Sequence, residues 1–214
     1  TAGPRTIIIP ILNIYGTGAR VQKELPDCTV LDGCIYVSAS LEHPGVLVQH
    51  GPILRVVFGP RDPSYISPIL SAIQSDLCES GIDGVLSTHI QRDALEKFSY
   101  VSPIGASGVY LHAVAGDFQK EGPARELFKS MIREISALAA TMGYPFEKDY
   151  VKINLEILSN LSADATTSMQ RDIMEGKPSE LDGLVMEPLR LAKKYSVSMP
   201  CYEEVAKVLC PLEF

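Results

Sequence analysis

The sequence contains no tryptophan, and it has fewer positive than negative side chains, 19 Lys and Arg against 26 Asp and Glu in 214 residues. A nucleic-acid-binding surface needs a basic face, so the net charge of -7 argues against a nucleic-acid partner. The longest apolar run, residues 7–12, contains Pro10, whereas a membrane-spanning helix needs about 20 apolar residues. We therefore expect neither a nucleic-acid nor a membrane partner.

Paired cysteines and a signal peptide are lacking as well. The cysteines are odd in number and do not have the spacing of a metal site; they are Cys28, Cys34, Cys78, Cys201 and Cys210. Reduced thiols in a cytoplasmic protein are the simplest interpretation, and no metal site is expected. The chain begins with Thr1 and not Met. We interpret it as a fragment, a processed chain, or one whose beginning is missing.

The first 88 residues have the pattern of an α/β sheet. An amphipathic helix is predicted over residues 63–80, and a turn at Gly51-Pro52. The apolar runs between residues 28 and 58 are expected to form a small antiparallel extension of the sheet. Short apolar, β-branched runs predict strands over residues 6–13, 28–40, 45–50, 54–58 and 82–87.

From residue 90 onward the apolar spacing is helical, which predicts an all-α second part. Asp93 is interpreted as the N-cap of a helix that runs to about residue 102, is perturbed by Pro103 and resumes to residue 110. The other helices are predicted over residues 122–142, 150–161 and 201–209, the last entered by Pro200.

The sequence pattern over residues 164–195 predicts two consecutive helices with a break between them. The first helix begins at Asp164 as N-cap and ends before Gly176. The second begins at Ser179, with Asp182 three residues later in a capping-box-like pattern. We expect Pro188 to kink or interrupt this second helix.

Ser168 is expected on the first of these two helices and Glu180 on the second. Glu180 is expected in the first turn of the second helix, where the helix dipole favours a carboxylate. A hydroxyl and a carboxylate so placed can bind a small polyhydroxylated acid. The alternative is that Ser168 is an ordinary surface residue and that Glu180 only stabilises the helix start.

The pattern Ser-Met-x-x-Asp-Ile-x-x-Gly-x-x-x-Glu-Leu-Asp, from Ser168 to Asp182, resembles the C-terminal signature of ketopantoate reductases, or 2-dehydropantoate 2-reductases. In that family the Ser and the Glu contact the substrate, and their spacing is kept here. The resemblance implies an α/β partial Rossmann-like sheet followed by an all-α C-terminal domain similar to that of 6-phosphogluconate dehydrogenase. Residues 1–89 would be the second half of an NADP-binding domain, and residues 90–214 the substrate-binding domain.

Asn13 and Lys97 are two further residues to which the resemblance gives roles. The segment 10–25 is similar to the family's strand, Asn-Gly turn and helix, which implies that Asn13 lies beside both nicotinamide and substrate, although Ile14 replaces the Gly. Without the resemblance, Asn13 is equally a turn residue that ends a strand. The segment 90–97 resembles the helix that delivers the general-acid lysine, with Leu95 in place of the usual Trp.

A lysine suits ketone reduction because hydride transfer builds negative charge on the carbonyl oxygen, which an ammonium can protonate or stabilise. Taken alone, Lys97 is more simply a solvated surface residue. Val101 and Gly105 stand where the family carries substrate-binding asparagines, and Met186 where it often has Gly. Ser99 or Ser102 is an alternative substrate contact.

The dinucleotide fingerprint G-x-G-x-x-G is lacking, and Gly16-Thr17-Gly18 does not supply it. The resemblance implies NADPH-dependent reduction of 2-dehydropantoate, or of a similar 2-oxo acid, as in pantothenate and coenzyme A biosynthesis. We expect the chain alone to be inactive without the cofactor loop, and a homodimer to form through the helical domain. Two alternatives stay open: a non-catalytic helical module for dimerisation or ligand binding, and a related hydroxy-acid dehydrogenase with another substrate.

Overall fold

The computed structural model describes residues 2–211, and the chain divides into two compact units, Thr1–Ala94 and Leu95–Phe214. The predicted fold class is confirmed, because a small partial sheet precedes a helical part. The boundary between the units falls within one long helix. Within the described residues, no helix has the length and apolar character needed to cross a bilayer.

The first unit contains five strands in two small sheets. In one sheet β1 and β2 are parallel, and in the other β4 pairs antiparallel with β3 and parallel with β5. The strands are β1 (Ile7–Ile8), β2 (Thr29–Val30), β3 (Asp32–His43), β4 (Val46–Gly59) and β5 (Asp83–Leu86). Two α-helices, α1 (Thr17–Glu24) and α2 (Pro68–Glu79), and a short 3-10 helix (Pro63–Tyr65) accompany them.

The antiparallel extension is one long hairpin, so the predicted turn at Gly51-Pro52 is wrong. The turn lies at Pro44-Gly45, and Gly45 has a φ of 85°. Gly51-Pro52 lies inside β4, where the register changes between the pairs Val37↔Leu54 and Ala39↔Gln49. The four residues between Gln49 and Leu54 thus form an irregularity in the ladder, which places Pro52 where it need not donate a ladder hydrogen bond.

Two other elements are shorter than the sequence predicted. The strand expected over residues 6–13 is only β1, since Pro10 has no N–H for a ladder. The helix expected from residue 63 begins at Pro68, because a residue before proline is held extended; the ψ of Ser67 is 161°. Buried Leu31, Val56, Phe58 and Leu70 form a core between α2 and the strands.

In the second unit, every regular element among the described residues is a helix, as predicted. Its elements are α3 (Ile90–Leu111, which begins in the first unit), α4 (Ala115–Gln119), α5 (Pro123–Thr141), α6 (Tyr150–Ser159), α7 (Ser168–Met174), a π-helix (Asp182–Met186), α8 (Glu187–Tyr195) and α9 (Pro200–Leu209). Only α4 lacked a sequence prediction. Helix α5 has six fully buried apolar residues, Phe128, Met131, Ile132, Ile135, Leu138 and Ala139. Phe128 meets Phe118 and Tyr100 edge to face at ring distances of 5.9 and 6.1 Å.

Helix α3 continues through Pro103, so the predicted perturbation is wrong. Pro103 has no N–H, and the carbonyl of Ser99, four residues earlier, therefore lacks its usual helical donor. Asn154 of α6 supplies one instead, because its Nδ2 donates to the Ser99 carbonyl and Oγ, both at 3.1 Å. Asp93 is also not the N-cap, since α3 begins at Ile90 and Asp93 lies in its first turn.

Candidate active site

Lys97 lies on α3 among core residues and is only 9% exposed. Its neighbours along the helix, Leu95 and Phe98, are buried as well. Burial of an ammonium is costly unless polar groups or a ligand compensate it. The alternative of a solvated surface lysine therefore does not hold for Lys97, whereas its role as a general acid stays a prediction.

Ser168 is the first residue of α7 and is exposed to solvent. The N-cap is Thr167 and not Asp164, which lies in the preceding loop. Thr167 Oγ1 accepts the Gln170 N–H at 3.2 Å, and Gln170 Oε1 accepts the Thr167 N–H at 2.9 Å. This capping box fixes the start of α7 immediately beside the Ser168 hydroxyl.

The end of α7 is as predicted. Gly176 adopts a φ of 68°. Its N–H donates to the Ile173 carbonyl at 3.1 Å, and the Lys177 N–H donates to the Asp172 carbonyl at 2.8 Å. These two bonds form the usual glycine-terminated helix end and turn the chain toward Glu180.

Glu180 is half-buried and lies just before the helical turn that starts at Leu181. The predicted capping box of Ser179 and Asp182 is wrong, because Asp182 instead accepts hydrogen bonds from Arg190, one of them at 3.2 Å. Glu180 is thus outside the first turn, although its backbone carbonyl accepts the Leu184 N–H at 2.9 Å. This hydrogen bond therefore ties the backbone of Glu180 to the helical turn that follows it.

The segments that carry Ser168 and Glu180 meet on α3 at Gly105. A methyl group added there would lie 3.1 Å from Met169 Cε and 3.7 Å from Leu184 Cδ1. Met169 follows Ser168 directly, and Leu184 is bonded to the Glu180 carbonyl. Gly105 is eight residues after Lys97, which is about 12 Å along a helix. The structure thus brings both segments onto the helix that carries Lys97.

Gly108 gives α3 a second close contact with α7. A Cβ at Gly108 would lie 2.8 Å from the side-chain amide of Gln170, whose Nε2 donates to the Ala113 carbonyl at 2.7 Å. Because glycine leaves this space open, the buried amide can reach the end of α3. Gln170 therefore fixes α7 on α3 in addition to capping it.

Ser99 and Ser102 do not replace the missing asparagines. Both are fully buried, and both take part in hydrogen bonds between helices. Ser102 Oγ donates to the Leu184 carbonyl at 2.6 Å and is also bonded to the Tyr202 hydroxyl. Sequence analysis missed Asn154 and Tyr202, although Pro103 and Pro188 signal that a carbonyl four residues earlier needs another donor.

Pro188 interrupts the second helix, as predicted. The π-helix ends just before α8, and Pro188 lies in the first turn of α8. Single-turn π-helices inside α-helices are often found at functional sites. Here the π-helix begins two residues after Glu180, the carboxylate that we predict from the sequence to be a substrate ligand.

Asn13 belongs to the first unit, where it is half-buried between β1 and α1. The nearby glycines serve local structure. Gly16 has a φ of 77° at the start of α1. A Cβ at Gly18 would lie 2.2 Å from the Leu31 carbonyl, so Gly18 allows α1 to approach the strand region.

Metal-ligating groups do not cluster in the part of the chain that the structure describes. Within residues 2–211, no three His, Cys, Asp or Glu side chains are arranged to hold a metal ion. His50 lies on the hairpin, 2.8 Å from the Ser40 hydroxyl.

A partial sheet followed by a helical unit is the arrangement that the resemblance to ketopantoate reductases implied. Residues 89–213, more than half of the chain, match the model described as ketopantoate reductase PanE/ApbA C terminal. The chain therefore belongs to the ketopantoate reductase family.

Relatives and solved structures are similar over nearly the whole chain. The 2-dehydropantoate 2-reductase of Aquifex aeolicus is 24% identical over 211 residues, which are 97% of this chain and 68% of the relative. The 2-dehydropantoate 2-reductase structure from Methylococcus capsulatus has a TM-score of 0.87 at 23% identity, covering 99% of this chain and 67% of that one. D-mandelate dehydrogenase in complex with NADH has a TM-score of 0.80 at 18% identity, with 94% and 68% covered.

The curated relatives are longer than this chain. The chain spans 61% to 68% of the length of the curated relatives that it matches. The structural similarity concerns the fold, and the activity of the whole protein is a separate question.

Proposed function

We propose that the chain is part of a nicotinamide-dependent reductase that converts 2-dehydropantoate, or a similar 2-oxo acid, to the 2-hydroxy acid. Family membership and the names of the relatives support this proposal. The observation that carries it is the meeting of two segments at Gly105. They bear Ser168 and Glu180, and they pack on the helix that presents the buried Lys97.

Lys97 is the proposed general acid. As hydride reaches the carbonyl carbon, the oxygen gains negative charge, and the ammonium donates a proton to it. Glu180 is proposed to accept a hydrogen bond from a substrate hydroxyl, because a carboxylate is an acceptor only. Ser168 is proposed to donate its hydroxyl to the substrate carboxylate.

The cofactor is proposed to be NADPH, which supplies the hydride when bound. Asn13, half-buried between β1 and α1, is the residue of this chain proposed beside the nicotinamide. Its amide can both donate and accept hydrogen bonds, which suits a carboxamide-bearing ring. A cytoplasmic location and a homodimer through the helical domain stay predictions.

The proposal is tested by following NADPH oxidation by the whole protein with 2-dehydropantoate. We expect Lys97→Ala to lower kcat by about 100- to 10,000-fold, the usual contribution of a general acid. Lys129→Ala is the matched control, because Lys129 pairs with Glu126 on the surface of α5. Parental turnover in Lys97→Ala would remove Lys97 from the mechanism, and no turnover of any 2-oxo acid by the unaltered protein would remove the function.

A second candidate is a hydroxy-acid dehydrogenase whose substrate has an apolar or aryl substituent. The observation behind it is the similarity to the D-mandelate dehydrogenase fold. Comparing kcat/KM for 2-dehydropantoate and for the 2-oxo acid of mandelate separates the two candidates. A higher value for the aryl acid would favour the second.

A further inference from the structure

Two buried hydroxyl groups connect three helices of the second unit. Ser102 of α3 and Tyr202 of α9 are both fully buried and are joined by a hydrogen bond. Ser102 Oγ also lies 2.6 Å from the Leu184 carbonyl of the π-helix, which can only accept. A serine hydroxyl has a single proton, so Ser102 donates to Leu184 and Tyr202 donates to Ser102.

The Leu184 carbonyl cannot receive the usual α-helical hydrogen bond. Pro188 follows four residues later and has no N–H to offer it. The Ser102 hydroxyl donates to this carbonyl, where Pro188 offers no N–H. The hydrogen bond from Ser102 to Leu184 therefore helps to hold the π-helix against α3.

Tyr202 is itself fixed from a third direction. The Glu134 carboxylate of α5 accepts the Cys201 N–H at 2.8 Å and the Tyr202 N–H at 3.1 Å, which caps the start of α9. Burial raises the pKa of the Tyr202 phenol, so the hydroxyl keeps its proton and remains a donor. The direction of the two hydrogen bonds is thus stable in ordinary buffers.

The chain of hydrogen bonds ends at the proposed site. The Leu184 N–H donates to the Glu180 carbonyl at 2.9 Å, so the turn held by Ser102 also determines where the Glu180 backbone lies. Ser102 is five residues after Lys97 on α3, which is about 7.5 Å of helix rise. One short stretch of α3 therefore carries both the buried lysine and the anchor of the turn beside Glu180.

We propose that Ser102 and Tyr202 are positioning residues, which hold the π-helix on α3 so that Glu180 is placed to bind the same substrate as Lys97. The inference rests on the proposed function, since Glu180 needs a fixed position only if it is a substrate ligand. Neither hydroxyl touches the substrate, because both are fully buried and bonded within the protein.

The test uses Tyr202→Phe, which removes only the hydroxyl, and Ser102→Ala as a second variant. Tyr100→Phe is the control, because Tyr100 is a partly buried tyrosine of α3 that packs on Phe128. The measurements are amide hydrogen exchange of residues 182–186, and KM and kcat of the whole protein for the 2-oxo acid.

We expect exchange of the amides of residues 182–186 to become about tenfold faster in Ser102→Ala, which loses the hydrogen bond to the π-helix. Exchange should also become faster in Tyr202→Phe, but by a smaller factor, because that variant loses only the donor to Ser102. KM for the 2-oxo acid should rise about five- to tenfold, with kcat and KM for NADPH within about twofold of the parent, since ground-state binding is what is lost. Tyr100→Phe should change neither exchange nor KM.

Unchanged exchange and unchanged KM in Tyr202→Phe would overturn the inference. A KM shift equal to that of Tyr100→Phe would also overturn it, because the effect would then be general loss of packing. If the unaltered protein reduces no 2-oxo acid, the proposed function fails, and the substrate-positioning role fails with it. The exchange data would then still show whether the two hydroxyls hold the π-helix.

Discussion

At the scale of single residues, Asn154 shows how one buried amide keeps a helix intact. It is 1% exposed and supplies the donor that Pro103 removes from the Ser99 carbonyl. We predict that Asn154→Ala lowers the free energy of unfolding by about 1 to 3 kcal/mol, the cost of an unsatisfied buried group. Urea unfolding measures this change.

The control for that prediction lies on the same helix. Asn160 is exposed at the end of α6, where its side-chain Nδ2 donates to the Glu156 carbonyl at 2.9 Å. Asn160→Ala should change the free energy of unfolding by less than about 0.5 kcal/mol. Equal losses in both variants would show that Asn154 has no special role in α3.

Cys201 provides a residue-scale prediction about pH. Burial, followed by the hydrogen bond and charge of Glu134, raises the pKa of the half-buried Cys201 thiol to about 11. Because only the thiolate reacts, alkylation of Cys201 at pH 8 should be slow and should increase up to about pH 11. Mass spectrometry of iodoacetamide-treated protein gives the rate, with exposed Cys78 as the control.

The same shift fixes the sign of a stability effect. The folded pKa is raised above the unfolded value, so this stabilisation is complete below the unfolded pKa and is lost as pH rises through about 11. Labelling of Cys201 as fast as Cys78 at pH 8 would contradict this account of the thiol.

At the scale of elements, α7 tests which residue caps the helix beside Ser168. Thr167 accepts the Gln170 N–H, whereas Asp164 lies in a loop and accepts from Ser162. Thr167→Ala should lower the free energy of unfolding by about 1 kcal/mol, and Asp164→Ala by clearly less. Thermal unfolding of both variants gives the order, and a larger loss in Asp164→Ala would mean that α7 starts earlier than the structure has it.

The capping box of α7 could have been found in the sequence. Thr167 and Gln170 have the required three-residue spacing. Asp164 was predicted instead, because Asp is also a good N-cap residue. Local chemistry did predict the glycine end at Gly176 and the interruption at Pro188. Each of these depends on one residue and its nearest neighbours, which is what a sequence displays.

The hairpin illustrates what local chemistry could not decide. Pro44-Gly45 and Gly51-Pro52 are both typical turn signals, and only the pairing of β3 with β4 selects the first. That pairing depends on which side chains become buried across the two strands, a property of the folded unit. Local chemistry also could not predict that α3 continues through Pro103, because the compensating donor, Asn154, is 55 residues from Ser99 in the sequence.

At the scale of the whole molecule, the order of a partial sheet and a helical unit was predictable from apolar periodicity. Family membership was predictable from the signature between Ser168 and Asp182. The meeting at Gly105 was not, because it joins α3 to residues 64 and 79 positions later, and no short pattern encodes such contacts. The proposed roles of Asn13, Lys97, Ser168 and Glu180 remain predictions to be tested together.

The most direct test of the central claim is a crystal structure of the whole protein with a bound 2-oxo acid and oxidised cofactor. We predict that the oxo group lies within about 3 Å of Lys97 Nζ, a hydrogen-bonding distance suited to a general acid. The Glu180 carboxylate should accept a hydrogen bond from the same ligand. A ligand bound without contact to either side chain would contradict the account.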